Sequence, residues 1–466
     1  MENILKEILE IVGPSGLIFG DDVKKRPNDW LSKTSCNAKA IVRPKSAEDI
    51  SAILKKCHAV GQSVIAAGGL TGLVHATEAA PDDLILSLER MNNIESIDPV
   101  GQTLTVQAGT QLQKVQEFAQ EHGLLFAIDL GARGSATIGG NIATNAGGNQ
   151  VLRYGMMREQ VLGLEVVLAD GTIVSSMNRL LKNNAGYDLK QLFIGAEGTL
   201  GVVTRAVLRL HPSPKSESTA LVAVANFDAL VDFFKYVGAK LGGSLTAFEV
   251  MWKDHYQIVA VDSGRHTPPI VPGAAFYVIV ESTGTEPDKD PDHFIKVLSG
   301  ALETELVEDA TIAASKAQRE AIWNIREDIE SVSQAIMPAA IFDISLPITE
   351  MNGYITTLQK AVRDRWGAAT KPIIFGHLGD GNLHIGIAPR PWSEEARREA
   401  EQMVYSPLSV IGGSISAEHG IGLEKRSWLH ISRSQEELSL MRLLKRLLDP
   451  KNILNPGKIL NDQFSS

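Results

Sequence analysis

The chain has 466 residues, a formal net charge of −10 and no dense basic block, a balance that argues against nucleic acid as a partner. Two cysteines, Cys36 and Cys57, are too few for a disulfide framework, so a reducing, cytoplasmic compartment is expected. No apolar run reaches the roughly 18 residues of a membrane span. Met1–Val12 mixes Glu and Lys with Ile and Leu at helical spacing, which is not the pattern of a secretory signal.

In chain order, Ala47–Val60 reads as an amphipathic helix with Ile50, Ile53, Leu54 and Cys57 on one side. Ser63–Ala67 is a short buried strand that runs into glycines. Leu84–Leu88 and Thr103–Ala108 are strand-like, Leu112–Glu121 is helical, and Leu162–Ala169 is a strand. It ends at the hairpin signal Asp170-Gly171, before Thr172–Ser175. His211-Pro212-Ser213-Pro214 stops any regular element and marks a boundary. Beyond it, Ala220–Val224, a helix over Leu230–Leu241 and Thr246–Met251 form one β-α-β-like unit. Phe276–Glu281, a helix over His293–Leu302 and Leu306–Asp309 form a second. The expected division is 1–213, 214–415 as a cap, and a C-terminal segment, 416–466, that completes the site.

Three segments are built for close approach of backbone to a ligand. Gly68, Gly69, Leu70, Thr71 and Gly72 follow a strand directly. Residues 134–148 hold Gly134, Ser135, Gly139, Gly140, Asn141, Asn145, Gly147 and Gly148, with Ile138 and Ile142 as the only large apolar side chains. A packed core would not be made this way; a surface against a flat, polar ligand would. The third segment is Gly195–Gly201, with Gly198, followed by Val202 and Val203. The competing reading of any one segment is a plain glycine turn. A dinucleotide fingerprint fits poorly, because Gly68-Gly69-x-x-Gly72 lacks the required spacing.

These segments resemble the FAD domain of the vanillyl-alcohol-oxidase / p-cresol-methylhydroxylase superfamily. Lys182–Leu189 through Gly201 resembles the remainder of that domain. The resemblance implies an α+β fold: a two-subdomain FAD-binding domain, a cap with an antiparallel sheet, and a C-terminal helical segment. It also implies that the first loop holds the pyrophosphate and the central stretch lies along the flavin. Some members link FAD through a His in the first loop. Here Leu70 and Thr71 follow the two glycines, so non-covalent FAD is expected, with His75 an ordinary loop histidine.

The most informative local pattern is Ile374–Ile385. If Asp380-Gly381 makes a two-residue hairpin turn, then Gly379 pairs with Asn382, Leu378 with Leu383, and His377 with His384. Directly paired side chains share a face at about 4.5–5.5 Å, and two imidazoles so placed can share a divalent ion. Glu418-His419 offers a third ligand and a base. The competing reading is a pair of structural histidines on a surface hairpin.

The combined pattern resembles the FAD-linked D-2-hydroxy-acid dehydrogenase branch, which includes D-2-hydroxyglutarate and D-lactate dehydrogenases and the glycolate oxidase catalytic subunit. The similarity extends over Trp323–Glu327 and Asp449–Lys458. It implies a metal, zinc among the candidates, on His377, His384 and Glu418, with His419 as base. Arg326 would hold the substrate carboxylate, and Asn455 would lie near the flavin. The implied reaction takes a D-2-hydroxy acid to the 2-oxo acid, most like D-2-hydroxyglutarate dehydrogenase, with D-lactate or another 2-hydroxy-acid dehydrogenase or oxidase as the alternative. Electrons would pass to a flavoprotein, quinone or cytochrome, and a homodimer and peripheral membrane association are compatible. A non-catalytic flavoprotein subunit is the rival of another class, but such a chain would have lost ligands, and this one keeps them. Three positions depart from the 2-hydroxyglutarate pattern. Glu330, Ile341 and Gly386 stand where that pattern has Thr or Ser, Lys, and Asn. They put the far end of the substrate in question.

Overall fold

The computed structural model describes residues 3–29 and 35–461. They form two compact units. The first gathers the chain up to Gly148, Tyr154–Ser213 and everything from Glu418; the second comprises Asn149–Arg153 and Pro214–Ala417.

The first unit contains two main sheets. Strands β1 (Leu17–Phe19), β2 (Ala40–Val42), β3 (Val64–Ala67) and β4 (Leu84–Ser87) stand in the order β1-β2-β4-β3. β4 runs parallel to both β2 and β3. The helix Ala47–Val60 makes the crossover. Ser46 caps it by accepting from the Asp49 N–H, and left-handed Gly61 ends it. Its apolar side, Ile50, Ile53, Leu54 and Cys57, is fully buried as the sequence spacing requires. The second sheet uses β5 (Ile94–Asp98), β6 (Thr103–Gln107), β8 (Val161–Val167), β9 (Ile173–Ser176) and β10 (Val202–Arg209), in the order β5-β6-β10-β8-β9. β7 (Leu124–Leu125) and β11 (His211–Pro212) form a small separate pair. One apolar core joins Leu54, Val64, Leu104, Val106, Leu164 and Val166. The C-terminal helix Gln435–Leu448 starts in a Ser434/Glu437 capping box. The chain after it returns to β3, where Val64 N–H donates to Ile453 O at 2.7 Å.

The second unit is one seven-stranded, wholly antiparallel sheet. Its strands are β12 (Ser216–Val224), β13 (Leu245–Trp252), β14 (Phe276–Gly284), β15 (Asp309–Ile312), β16 (Ala340–Ser345), β17 (Ile373–His377) and β18 (Asn382–Ile387), in the order β15-β12-β14-β13-β17-β18-β16. β12 and β13 flank β14, so the β-α-β-like reading of this region becomes a split unit with a strand inserted between its two members. Side-chain alternation divides the faces. Phe248 of β13 meets Phe233 of the helix Phe227–Leu241, with ring centroids 5.7 Å apart. Ala247 and Met251 point the other way, into a cluster with Trp323, Ile325 and Phe375. The α+β fold class expected from sequence is the one observed. One strand moved: Leu306–Asp309 was the expected strand, but Thr304 and Leu306 N–H groups close onto Gly300 and Ala301 carbonyls as a helix end. Pairing with β12 begins only at Asp309.

Candidate active site

In the first unit the three glycine-bearing segments come together. A Cβ on Gly69 would lie 1.9 Å from Ser135 O, and one on Gly68 would lie 2.5 Å from Thr137 Oγ1. The loop after β3 is therefore in backbone contact with the central stretch. Part of that stretch is a helix, Ile138–Thr144, capped by Thr137 and ended by Asn145 in the left-handed region. Ile138 and Ile142 enter the core, while Gly139 presses on Ala108, so this glycine serves helix–strand packing. Gly148 combines φ +127° with a Cβ position 2.0 Å from Asp129 O, a place only glycine can fill. Gly195 and Glu197 N–H groups donate to Ile142 O and Ala143 O, which brings in the third segment. Asn145 Oδ1 accepts from Arg158 N–H at 2.9 Å.

Asn455 clips these parts together. Its Oδ1 accepts from Ala66 N–H at 2.8 Å, its Nδ2 donates to Glu197 O at 2.9 Å, and its own N–H donates to Val64 O. Gly198 lies against its side chain, and Val203 is buried on β10. Glu418 Oε1 accepts from Gly148 N–H at 3.0 Å, so Glu418 sits at the end of the central stretch, with His419 next to it in the chain. Two contributors were invisible in sequence. Buried Glu197 accepts from Ile421 and Gly422 N–H groups at 2.7 and 2.8 Å. Burial raises its pKa, against the pull of those N–H groups and of Lys425. Lys445 is buried with its amine on Thr199 O, Leu454 O and Asp449 Oδ2.

In the second unit His377 and His384 are brought together, but not by the expected register. Phe375, not His377, is opposite His384. Leu378–Asp380 form a 3₁₀ turn closed by left-handed Gly381, so the connection is two residues longer than a tight hairpin. His377 instead pairs with Glu249 of β13, and His384 with Asp343 of β16. A shift of two residues preserves the face. The imidazoles remain neighbours, with ring centroids 5.5 Å apart and planes at 77°.

Each histidine thus has a carboxylate across the strand. Glu249 Oε1 lies 2.5 Å from His377 Nδ1. Its Oε2 accepts from Arg326 Nε at 3.1 Å and is 3.0 Å from Arg326 Nη2. Burial pushes the Glu249 pKa up, but His377 and Arg326 pull harder and hold it below the ordinary value. Asp343 Oδ1 is 3.9 Å from His384 Nδ1. Asp343 also accepts from Asn382 Nδ2, Ser416 Oγ and the Ala417 N–H. Arg326 projects from the helix Lys316–Glu327 and lies over the Phe375 ring, 4.5 Å from its centroid. The same helix is anchored by Arg319 and Trp323 on buried Glu281 at 2.9 and 2.8 Å. The sequence did carry a signal for Glu249 and Glu281. Each is a charged residue inside an otherwise apolar buried strand, where it needs a partner.

The departing positions are also placed. Glu330 is an exposed helix residue paired with Arg265 at 2.9 Å. Ile341 is 53% exposed and pairs with Gly386. It shares a face with Asp343, two residues along β16.

Residues 38–176 match a family described as "FAD binding domain", and residues 213–459 match "FAD linked oxidases, C-terminal domain". The chain is 39% identical over 454 residues to the mitochondrial D-2-hydroxyglutarate dehydrogenase of Bos taurus, covering 97% of this chain and 82% of that one. It is 38% identical to the D-2-hydroxyglutarate dehydrogenase of Xanthomonas citri pv. viticola, covering 94% and 92%. Among solved structures it resembles p-cresol methylhydroxylase with substrate bound, at TM-score 0.78 and 15% identity over 98% of this chain and 96% of that one. It also resembles alkyldihydroxyacetonephosphate synthase, at TM-score 0.75 and 18% identity over 98% and 86%. At these identities the solved structures establish the fold.

Proposed function

The chain belongs to the family of FAD-linked oxidases that contains the D-2-hydroxyglutarate dehydrogenases, and from that membership we propose that it oxidises a D-2-hydroxy acid to the 2-oxo acid. The observation that carries this reading is the sheet face of the second unit. Two adjacent imidazoles and an arginine converge there, and both His377 and Arg326 are oriented by Glu249.

The first unit fits FAD. Gly69 and Gly148 let the loops of the cradle pack backbone against backbone, and buried Asn141 has no partner for its Nδ2 among the described residues. The residues proposed to line the cofactor are Gly68–Gly72, Gly134, Ser135, Gly139–Asn141, Asn145, Gly147, Gly148, Gly198, Val203 and Asn455. Leu70 and Thr71 favour a non-covalent flavin. The donor set likewise fits a divalent ion. Glu249 occupies His377 Nδ1, which leaves Nε2 as the ligand atom. Glu418 follows Ala417 by one peptide bond, and Ala417 is tied to Asp343, so we assign His377, His384 and Glu418 as ligands, with zinc the metal expected.

When bound, the flavin accepts the electron pair lost by the substrate, and the metal acts as a Lewis acid toward the α-hydroxyl. The chain's own work is positioning and proton transfer. The Arg326 guanidinium pairs with the substrate carboxylate, a contact suited to its planar donor fork. His419 takes the hydroxyl proton, a role suited to an imidazole near neutral pH. Loss of that proton to His419, together with loss of the Cα hydrogen and its electron pair to the bound flavin, would leave a carbonyl at Cα.

By similarity to its relatives, D-2-hydroxyglutarate is the first substrate to test. The chain carries Ile341 where that pattern has a cation, so a shorter or less polar acid is the second. A flavoprotein, quinone or cytochrome acceptor, a homodimer and a reducing compartment belong to the same proposal; buried Cys36 and Cys57 suit the last. The test is anaerobic bleaching of the flavin absorbance by a panel of D- and L-2-hydroxy acids with and without a second carboxylate. Rapid bleaching by D isomers alone is expected. A flavin that no 2-hydroxy acid reduces would overturn the assignment.

A further inference from the structure

Glu249 occupies a central position that motif reading does not reach. It lies in the middle of β13, directly opposite His377 in the antiparallel register, and is about 1% exposed. A carboxylate in such a place is tolerated only where its oxygens are all engaged. Here the two oxygens are divided between two different functional groups. Oε1 takes His377 Nδ1 at 2.5 Å, and Oε2 takes Arg326 Nε at 3.1 Å with Nη2 at 3.0 Å. The Asp343–His384 pair does not duplicate this arrangement. At 3.9 Å it is not a hydrogen bond, and the Asp343 oxygens serve Asn382, Ser416 and Ala417.

We propose that Glu249 is a positioning residue that couples metal binding to substrate-carboxylate binding. One of its oxygens fixes the tautomer and ring plane of His377, and the other fixes the fork of Arg326. The proposal rests on the assignment of His377 as a metal ligand and Arg326 as the carboxylate anchor.

A carboxylate facing Nδ1 keeps the proton on that nitrogen and leaves the Nε2 lone pair for a cation. The Nε hydrogen bond to Oε2, with Nη2 of the same edge 3.0 Å from that oxygen, fixes the plane of the fork. The Phe375 ring beneath the guanidinium limits the remaining rotation. Because both bonds end on one short, buried side chain, a displacement of the carboxylate disturbs both partners together.

The experiment uses holoenzyme carrying Glu249→Gln, with Glu249→Asp and His377→Asn alongside. Zn²⁺ affinity is read by competition with a chromophoric chelator, and kcat and KM are measured separately at saturating Zn²⁺. Glu249→Gln should lower Zn²⁺ affinity by roughly 10- to 100-fold. It should also raise KM for the 2-hydroxy acid several-fold more than it lowers kcat. Glu249→Asp keeps the charge and should recover part of both losses. The proposal is overturned if Glu249→Gln leaves Zn²⁺ affinity within a factor of two of wild type, or lowers it without moving KM. Equal losses in the Asp and Gln variants overturn it too, because side-chain volume rather than the carboxylate would then be at work. If Glu249→Gln does not fold, Glu249→Ala is read in its place, and a change in Zn²⁺ affinity without a change in KM, or the reverse, refutes the coupling. A wild-type protein that binds no Zn²⁺, or a His377→Asn variant that binds it as tightly, refutes instead the ligand assignment beneath the proposal.

Discussion

The two units present chemistry in opposite ways. In the first, the site is made largely of missing side chains. Gly69 and Gly148 let loops pack backbone against backbone, and Asn455 and Glu197 tie those loops together. In the second, the site is made of polar and charged side chains from a sheet and the helix packed on it, with Glu249 of β13 holding both His377 and Arg326. The difference suits the ligands proposed for each. A large, flat cofactor gains from extended backbone contact, whereas a small acid and a metal ion need a few donors at fixed geometry.

Changes in the two units should therefore fail differently, and the largest effect separates chemistry from cofactor binding. His419→Ala should lower kcat/KM by roughly 10³-fold, within the range for loss of a general base, while the flavin spectrum is retained. A variant that bleaches at the wild-type rate would move the base elsewhere. The next effect concerns the scaffold of the first unit. Lys445→Ala removes the only cation on buried Asp449, among the described residues, and leaves it the Ile453 and Leu454 N–H groups; loss of such a buried pair costs about 3 kcal/mol. Flavin release on urea titration should occur at a clearly lower midpoint.

Gly69→Ala is a sharper probe of a site made of absent side chains. Its Cβ would meet Ser135 O at 1.9 Å, so the loops must separate, at about 1–3 kcal/mol. Flavin content after purification should fall. Alanine at Gly353, in the helix Ile348–Trp366 of the second unit with open space around it, should leave it unchanged. Full flavin occupancy in the Gly69 variant would break the comparison.

The smallest effect belongs to His255, in the second unit. It is fully buried against Phe375, and neither ring nitrogen has a partner among the described residues. Burial, aided by the Arg326 charge, holds its pKa down to about 3, below the ordinary 6.5. The unfolded chain takes up the proton near 6.5 and the folded state does not. The associated stability is therefore complete above pH 6.5 and is lost as pH falls toward 3. His255→Phe should flatten that acid limb and raise stability at neutral pH by about 1–3 kcal/mol, the cost of unpaired buried donors. Thermal midpoints across the acid range check both.

Much of the first unit was legible because its signals are local. The helices Ala47–Val60 and Leu112–Glu121 end where caps and periodicity end them. The three glycine segments were identifiable from composition alone. In the second unit the residue types were legible but their pairing was not. His377 and His384 were singled out, yet the register came out two residues away, because Leu378–Asp380 fold into a 3₁₀ turn and lengthen the connection beyond a two-residue hairpin. Asp343 was missed because its partners are distant in sequence, whereas Glu249 and Glu281 each stood out as a charge in an apolar strand but gave no indication of which partner they meet. Glu330 was an open question until Arg265 was found beside it.

The account stands on the two histidines acting in flavin reduction without holding the flavin. The most direct measurement is anaerobic stopped-flow absorbance of wild-type and His377→Asn holoenzyme mixed with the D-2-hydroxy acid that best bleaches the wild type. The expected result is an unchanged oxidised flavin spectrum in the variant before mixing and bleaching slowed by at least about 10²-fold after it. Bleaching of the variant at the wild-type rate would contradict the account.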